Sequence, residues 1–159
     1  MPNDAKRRFM ALAIDQSREG VREGQTPFGA CIVKDGEVVS CAHNNVWAST
    51  DITAHAEIVA IRGACAKLGT IDLSGCDIYS TTEPCPMCFS AIHWARIGEV
   101  VFGASIADAK AYGFHELPIS NEAMKETGKS PIKITRGFMA REALDVFAEW
   151  AKSKEKRTY

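Results

Sequence analysis

The chain has 159 residues, which is the size of one domain and enough to bury a hydrophobic core without stabilising cross-links. Hydrophobic residues make up 46% and charged residues 25%, the composition of an ordinary globular protein. The formal net charge is −1 and no dense cluster of Lys and Arg is present, so we expect no nucleic-acid partner.

The sequence also gives no reason to expect a membrane segment. No stretch approaches the roughly 18 apolar residues of a membrane span, and charged residues interrupt the apolar ones throughout residues 1–20. We therefore expect a cytoplasmic protein. The six cysteines are then expected to be free thiols or metal ligands rather than a disulfide framework.

The predicted elements begin with an amphipathic helix over residues 5–20. Two short strands follow in "ACIVKDGEVVSCAHN", joined at Asp35-Gly36, a dipeptide typical of hairpin turns. The segment "HAEIVAIRGACAKLG" is rich in Ala, Ile and Leu and predicts a buried helix that ends at Gly69.

The second half continues the alternation of strands and helices. "CDIYSTT" predicts a third strand, "CPMCFSAIHWARIG" a third helix ending at Gly98, and "EVVFGAS" a fourth strand. The pattern then weakens until "IKITRGF", a fifth strand, and a final amphipathic helix in "AREALDVFAEWAKSKEK". This order predicts one α/β domain over residues 1–159, a three-layer α-β-α sandwich around a mixed five-stranded sheet.

Cys85 and Cys88 form a single C-x-x-C pair, which supplies two metal ligands. His55, at the start of the second predicted helix, is the best candidate for the third ligand because helices that follow strands of one sheet can begin at a common edge. Helix N-termini also favour the thiolate form of cysteine. Three protein ligands are typical of a catalytic zinc, whose fourth position is left to water or hydroxide. We therefore expect one Zn²⁺ per chain.

Glu57 stands two residues after His55, where its carboxylate can lie beside the metal without binding it. That placement predicts a general acid–base group acting on a water activated by zinc. The combination of His55-Ala56-Glu57 with Pro84-Cys85-Pro86-Met87-Cys88 matches the H-x-E and P-C-x-x-C motifs that are typical of zinc-dependent nucleobase deaminases.

Three other interpretations of these motifs remain open. Cys85 and Cys88 could be a thiol redox pair, although that would leave the H-A-E motif without a role. A structural zinc would need a fourth ligand, for which His93 or Cys76 is nearest in the sequence. A zinc-binding interaction module would have little reason to contain Glu57. The remaining cysteines are expected to be small core residues: Cys31, Cys41, Cys65 and Cys76.

The chain resembles the cytidine deaminase-like superfamily. The resemblance rests on "TPFGACIVKDGEVV", "HNNVWASTDITAHAEIVAIRGAC" and "TTEPCPMCFSAIHWARIGEVVFGAS", and it covers about residues 5–117. Within the superfamily the chain is most similar to bacterial guanine deaminases. The resemblance implies a cytidine deaminase-like fold and hydrolysis of an amino group on a free nucleobase.

The resemblance also implies which residues contact the substrate. Asn44 falls on the base-binding asparagine of the family, and an amide side chain can both donate to and accept from a purine edge. Glu116, in "DAKAYGFHE", matches an acidic residue that holds the N–H edge of guanine and assists proton transfer. Relatives also end in a tyrosine that helps close the pocket, which corresponds to Tyr159 within the C-terminal segment of about residues 118–159. Further predicted pocket residues are Phe28, Ala30, Ala56 and Trp94.

The implied reaction converts guanine and water to xanthine and ammonia. The alternatives are a tRNA-specific adenosine deaminase, which would need a basic face for the RNA, and a deaminase of cytosine, guanosine or a triazine. The zinc motifs do not distinguish these substrates. Small deaminases of this kind are homo-oligomers, so the resemblance also implies a homodimer.

Overall fold

A computed structural model describes residues 2–159 of the chain. Twelve helices and strands make up this part. In chain order they are α1 (Asn3–Arg22), β1 (Gly29–Lys34), β2 (Glu37–His43), α2 (Val46–Ser49), α3 (Ala56–Leu68), β3 (Cys76–Thr82), α4 (Pro86–Trp94), β4 (Glu99–Ala104), α5 (Ile106–Ala111), α6 (Asn121–Gly128), β5 (Lys133–Thr135) and α7 (Ala140–Ala151).

The five strands form one mixed sheet in the order β2-β1-β3-β4-β5. β1 is antiparallel to both of its neighbours, β2 and β3, whereas β3, β4 and β5 are parallel to one another. β2 therefore runs in the same direction as β3 and β4. The carboxyl ends of these three strands lie along the same edge of the sheet, which is where ligands bind in open α/β folds.

Helices cover both faces of the sheet and bury its two apolar surfaces. On one face α3 and α4 pack against the strands through Ala60, Phe89 and Ile92. On the other face α1 and α7 pack through Phe9 and Val146. α1 lies so close to β1 that a Cβ atom on Gly29 would stand 2.1 Å from the carbonyl oxygen of Ala13. The expected three-layer sandwich is confirmed.

The β1–β2 hairpin turns at the expected Asp35-Gly36, where both residues have positive φ angles of 50° and 78°. The hairpin also corrects one expectation, because Cys31 and Cys41 are joined by a disulfide. The two residues are directly opposite each other in the ladder. The prediction that they are separate thiols in the core was wrong, whereas Cys65, Cys76, Cys85 and Cys88 are free.

The sequence analysis did not predict the four-residue α2, and it allowed for one helix between β4 and β5 where the structure has two, α5 and α6. Both later helices begin at a serine, Ser105 and Ser120, whose side chain accepts a hydrogen bond from the first turn. α4 is also shorter than expected, since it ends at Trp94 rather than at Gly98. Within residues 2–159, no helix combines the length and the hydropathy needed to span a bilayer.

Candidate active site

The sequence motifs meet at the shared edge of β2, β3 and β4. His55 is the N-cap residue of α3 and Cys85 is the N-cap residue of α4, as the sequence predicts. Pro86 occupies the first turn of α4, where its missing N–H does not disturb the helix. Cys88 follows within the same turn, so the backbone places both thiols on one side of the helix start.

The three predicted metal ligands converge. Their ligand atoms all lie within 4.8 Å of one another. His55 Nδ1 is 3.6 Å from Cys85 Sγ and 3.5 Å from Cys88 Sγ. A tetrahedral zinc with ordinary Zn–N and Zn–S bonds holds such atoms about 3.5 Å apart, so the donor set and its spacing fit Zn²⁺.

The electrostatics of the triad favour a cation. A hydrogen bond from Cys88 outweighs burial and, with the nearby His55, lowers the pKa of the Cys85 thiol to about 4. The Cys85 sulfur and burial in turn raise the pKa of Cys88 well above its ordinary value. The pair alone therefore has one negative charge, and a bound divalent cation would displace the second proton.

Glu57 lies behind the triad and does not join it. Glu57 is 6% exposed, and burial raises the pKa of its carboxyl group above the ordinary value. Oε2 is 3.4 Å from Cys88 Sγ, and Oε1 is 2.7 Å from Ser80 Oγ on β3. One carboxylate oxygen therefore faces the metal side of the site and the other is held by the sheet.

Four of the predicted substrate-contacting residues border the same cavity: Phe28, Asn44, Glu116 and Tyr159. Asn44 is fully buried; its Nδ2 donates to the Tyr159 hydroxyl at 2.6 Å and its Oδ1 accepts from the N–H of Val46. Burial and the charge of Cys85 raise the pKa of Glu116 to about 7. The structure thus brings these four predicted residues to the zinc triad.

Tyr159 closes the cavity in this conformation. Its backbone oxygen accepts from the N–H of His115 at 2.9 Å, and its ring centroid is 5.4 Å from that of His55. The cavity beneath it measures about 20 Å³, room for a single water-sized molecule. On its outer side lies an apolar cavity of about 260 Å³ bordered by Ile52, Met87 and Leu117.

The comparisons with known proteins agree with this geometry. Residues 3–104 match the family described as the cytidine and deoxycytidylate deaminase zinc-binding region. The chain belongs to this family. It is therefore a zinc-dependent hydrolase that removes an amino group from its substrate with water, and the expected zinc cofactor and enzyme class are confirmed.

The similarity to individual deaminases differs in extent. A guanine deaminase of Bacillus subtilis is 41% identical over 95% of this chain and 97% of its own length. A solved structure of guanine deaminase from Nitrosomonas europaea superimposes with a TM-score of 0.84 at 29% identity, covering 91% of this chain and 84% of that one. A tRNA-specific adenosine deaminase of Aquifex aeolicus is 46% identical, but over 62% of this chain and 66% of its own length.

Three predicted pocket residues do not lie in the cavity of this deaminase. Trp94 is 83% exposed at the end of α4 and does not border the cavity, so the expectation that it walls the pocket was wrong. The side chains of Ala30 and Ala56 are fully buried in the hydrophobic core and do not border the cavity. A contact of either residue with the substrate stays a prediction.

Neither residue considered as a fourth zinc ligand lies near His55, Cys85 and Cys88. His93 Nδ1 is 2.8 Å from Ser130 Oγ at the far end of α4. Cys76 is buried at the first residue of β3, the opposite end of that strand from the triad. The interpretation as a four-ligand structural zinc is therefore wrong for the residues that the structure describes.

The loop that presents Cys85 is held by contacts that the sequence analysis missed. Glu83 is 9% exposed, and its two carboxylate oxygens accept from the backbone N–H groups of Ile106 and Asn121, the first residues of α5 and α6. The side chain of Asn121 donates to the carbonyl oxygen of Pro84 at 2.6 Å. A buried anion that bridges two helix N-termini is favourable, so these contacts hold the loop in place.

Two further contacts were not predicted from the sequence. Ser80, on the third strand, reaches Glu57. The guanidinium of Arg157 lies 4.3 Å from the ring centroid of Trp47 and ties the C-terminal segment to α2. A polar residue at an inward position of a buried strand is a signal for the first contact, whereas nothing in the sequence pairs Arg157 with Trp47.

Proposed function

We propose that the protein deaminates guanine to xanthine and ammonia. The observation that carries this proposal is that Asn44 and Glu116, two polar side chains from separate loops, border the same cavity as the zinc ligands His55 and Cys85. The similarity to the Bacillus subtilis guanine deaminase supports it, because a match over 152 of the 159 residues includes the segments around both residues.

His55, Cys85 and Cys88 would hold the zinc ion. Bound there, Zn²⁺ supplies Lewis acidity and lowers the pKa of a water in its open position to about 7. Glu57 accepts a proton from the attacking water and returns protons to the ring nitrogen and to the leaving amine. Its burial suits this task because a raised pKa brings a carboxyl group closer to neutral pH.

Asn44 and Glu116 would select the base. Asn44 can donate to one acceptor and accept from one donor on a purine edge. The carboxylate of Glu116 can accept from ring N–H groups, and it can assist the proton transfers once the substrate covers it. The ring of Phe28, which packs edge-on against Phe114, would lie against the plane of the base.

The C-terminal segment would control access. A purine is several times larger than the cavity of about 20 Å³, so Tyr159 has to move before the substrate can reach Asn44. Two contacts would hold the segment in the closed position: that of Arg157 with Trp47, and the hydrogen bond from the N–H of His115 to Tyr159. The outer apolar cavity would be the entrance.

A tRNA-specific adenosine deaminase is the second candidate, because the relative with 46% identity has that activity. Its similarity covers only 62% of this chain. The net charge of −1 also argues against a large phosphate backbone as partner. Binding of a tRNA anticodon stem-loop at moderate salt would separate the candidates, since we expect no binding.

We also propose a homodimer located in the cytoplasm. α4 exposes two large apolar side chains, Met87 and Trp94, and exposed apolar surface of this kind is typical of interfaces. Light scattering should give twice the monomer mass for the wild type, and a smaller mass for Trp94→Glu. The location stays a prediction from the sequence.

The test of the proposed function is the pair of variants Glu57→Gln and Asn44→Ala, assayed for xanthine formation. Glu57→Gln should retain zinc and lose about 10²–10⁴-fold in kcat, because it removes the general acid–base group. Asn44→Ala should mainly raise KM for guanine. Undiminished turnover of guanine by Glu57→Gln would contradict the proposal.

A further inference from the structure

A serine in the middle of the sheet contacts the proposed acid–base group. Ser80 lies on β3 and is 1% exposed. Its cross-strand neighbours are Ala30 on β1 and Phe102 on β4, both of them apolar. Its Oγ is 2.7 Å from Glu57 Oε1 and 2.6 Å from the carbonyl oxygen of Thr82.

The hydroxyl cannot donate to both of these oxygens at once. A serine hydroxyl has one proton to donate and two lone pairs that accept. When Glu57 is a carboxylate, Ser80 can donate to Oε1. When Glu57 holds the proton in transit, its O–H can donate to Ser80 Oγ, and the Ser80 proton then turns to the carbonyl oxygen of Thr82. Each arrangement leaves Glu57 and the hydroxyl of Ser80 hydrogen-bonded.

We propose that Ser80 is a positioning residue for Glu57 in the reaction. It anchors Oε1, so that Oε2, which is 3.4 Å from Cys88 Sγ, is the oxygen that faces the metal side. Ser80 is the side chain on the sheet that holds the Glu57 carboxyl group in this direction. This inference rests on the proposed role of Glu57, but it does not depend on which base is the substrate.

A positioning role and a purely structural role of the Ser80 hydroxyl predict changes in different measured quantities. If Ser80 only donated to the carbonyl oxygen of Thr82, removing its hydroxyl would lower the free energy of unfolding. Zinc content and KM would then change together with that loss of stability. A residue that orients Glu57 would affect the chemical step at constant zinc content and constant KM. General acid–base groups lose efficiency quickly when their geometry is disturbed.

The matched variants are Ser80→Thr and Ser80→Val, which add nearly the same volume and differ only in the hydroxyl. We expect Ser80→Thr to remain within about threefold of the wild type in kcat, because it retains the donor and the acceptor. Ser80→Val should be about ten- to a hundredfold slower than Ser80→Thr, the effect of losing one hydrogen bond to a charged group. KM and the zinc content should agree between the two variants.

Ser17→Ala provides the control for loss of a buried serine hydroxyl. Ser17 is also fully buried, and its Oγ donates to the carbonyl oxygen of Ile14 within α1, away from the cavity. The kcat of Ser17→Ala should remain within about twofold of the wild type. The lost hydrogen bond joins two neutral groups away from the cavity, so its loss should affect stability and not the chemical step.

Equal kcat values for Ser80→Thr and Ser80→Val would overturn the inference, as would a loss of zinc or a rise in KM that accounts for the difference. These results concern Ser80 alone if the wild type is active on guanine. If the wild type deaminates a different base, the guanine assignment fails and the same comparison is made with that base. A wild type without any deaminase activity refutes both proposals.

Discussion

The clearest test of the architecture is the substitution Glu83→Gln. Each carboxylate oxygen of Glu83 accepts one backbone N–H, at 3.1 Å from Ile106 and 3.0 Å from Asn121. A glutamine can accept only one of them, and its NH₂ group would face the other N–H donor. One helix N-terminus then loses its partner in a buried place.

The magnitude follows from these two bonds. A hydrogen bond to a charged group contributes about 1.5–3 kcal/mol, and the bond that remains becomes a weaker, neutral one. We therefore expect Glu83→Gln to lower the free energy of unfolding by about 2–4 kcal/mol. For a protein of this length that corresponds to a fall in Tm of roughly 4–16 °C.

Thermal unfolding in the presence of zinc and of a chelator measures this effect. Glu122→Gln is the matched control, because Glu122 lies on the same helix, α6, and makes only an exposed ion pair with Arg136. That control should change the free energy by at most about 0.5 kcal/mol. If Glu83→Gln changes Tm no more than Glu122→Gln does, Glu83 does not hold the zinc loop and the reasoning is wrong.

Three further predictions concern the metal, the pH dependence and the C-terminal segment. Cys88→Ala should lose zinc and ammonia release together, and metal analysis after dialysis that still finds one zinc per chain would contradict the ligand assignment. The pKa of Glu116 is raised to about 7, so its carboxylate forms as the pH rises through that range, and kcat/KM should rise with it. Bound Zn²⁺ should move this rise to a lower pH. Glu116→Gln should abolish the rise, and an unchanged pH profile in this variant would exclude the role of Glu116. Arg157→Gln removes a contact of about 0.5–1 kcal/mol and should speed carboxypeptidase cleavage of residues 152–159 about two- to fivefold. Lys154→Gln is the control for loss of a positive charge in the same segment. Equal cleavage rates for the two variants would refute the prediction.

The zinc triad could be predicted because its information is local. His55 with Glu57, and Cys85 with Cys88, are fixed relative to each other by the first turns of two helices. Only the proximity of the N-termini of α3 and α4 depends on the sheet. β2 and β3 run in the same direction, so the helices that follow them begin at the same edge.

The disulfide could not be predicted because it depends on one irregularity in the strand register. A regular ladder from the Asp35-Gly36 turn would place Ser40 opposite Cys31. The shift between Ile32 and Val33 inserts one extra residue on the β2 side, so that Cys41 takes that place instead. A hairpin signal determines the turn but not such a shift.

The errors at Trp94 and the missed contacts have a different origin. α4 is apolar on most of its surface, with Phe89 and Ile92 in the core and Met87 exposed, so periodicity does not show which face Trp94 occupies. The contacts of Glu83 with α5 and α6, and of Arg157 with Trp47, join segments 23 to 110 residues apart, as their residue numbers show. Their partners are set by tertiary packing rather than by local pattern.

The guanine specificity can be measured as ammonia release by the purified, zinc-loaded protein with guanine, guanosine, adenine, cytosine, cytidine and ammeline. We expect guanine to be turned over far faster than the others, with xanthine as the product. Turnover of another base without turnover of guanine would leave the zinc chemistry in place and contradict the assignment of Asn44 and Glu116 to a guanine edge.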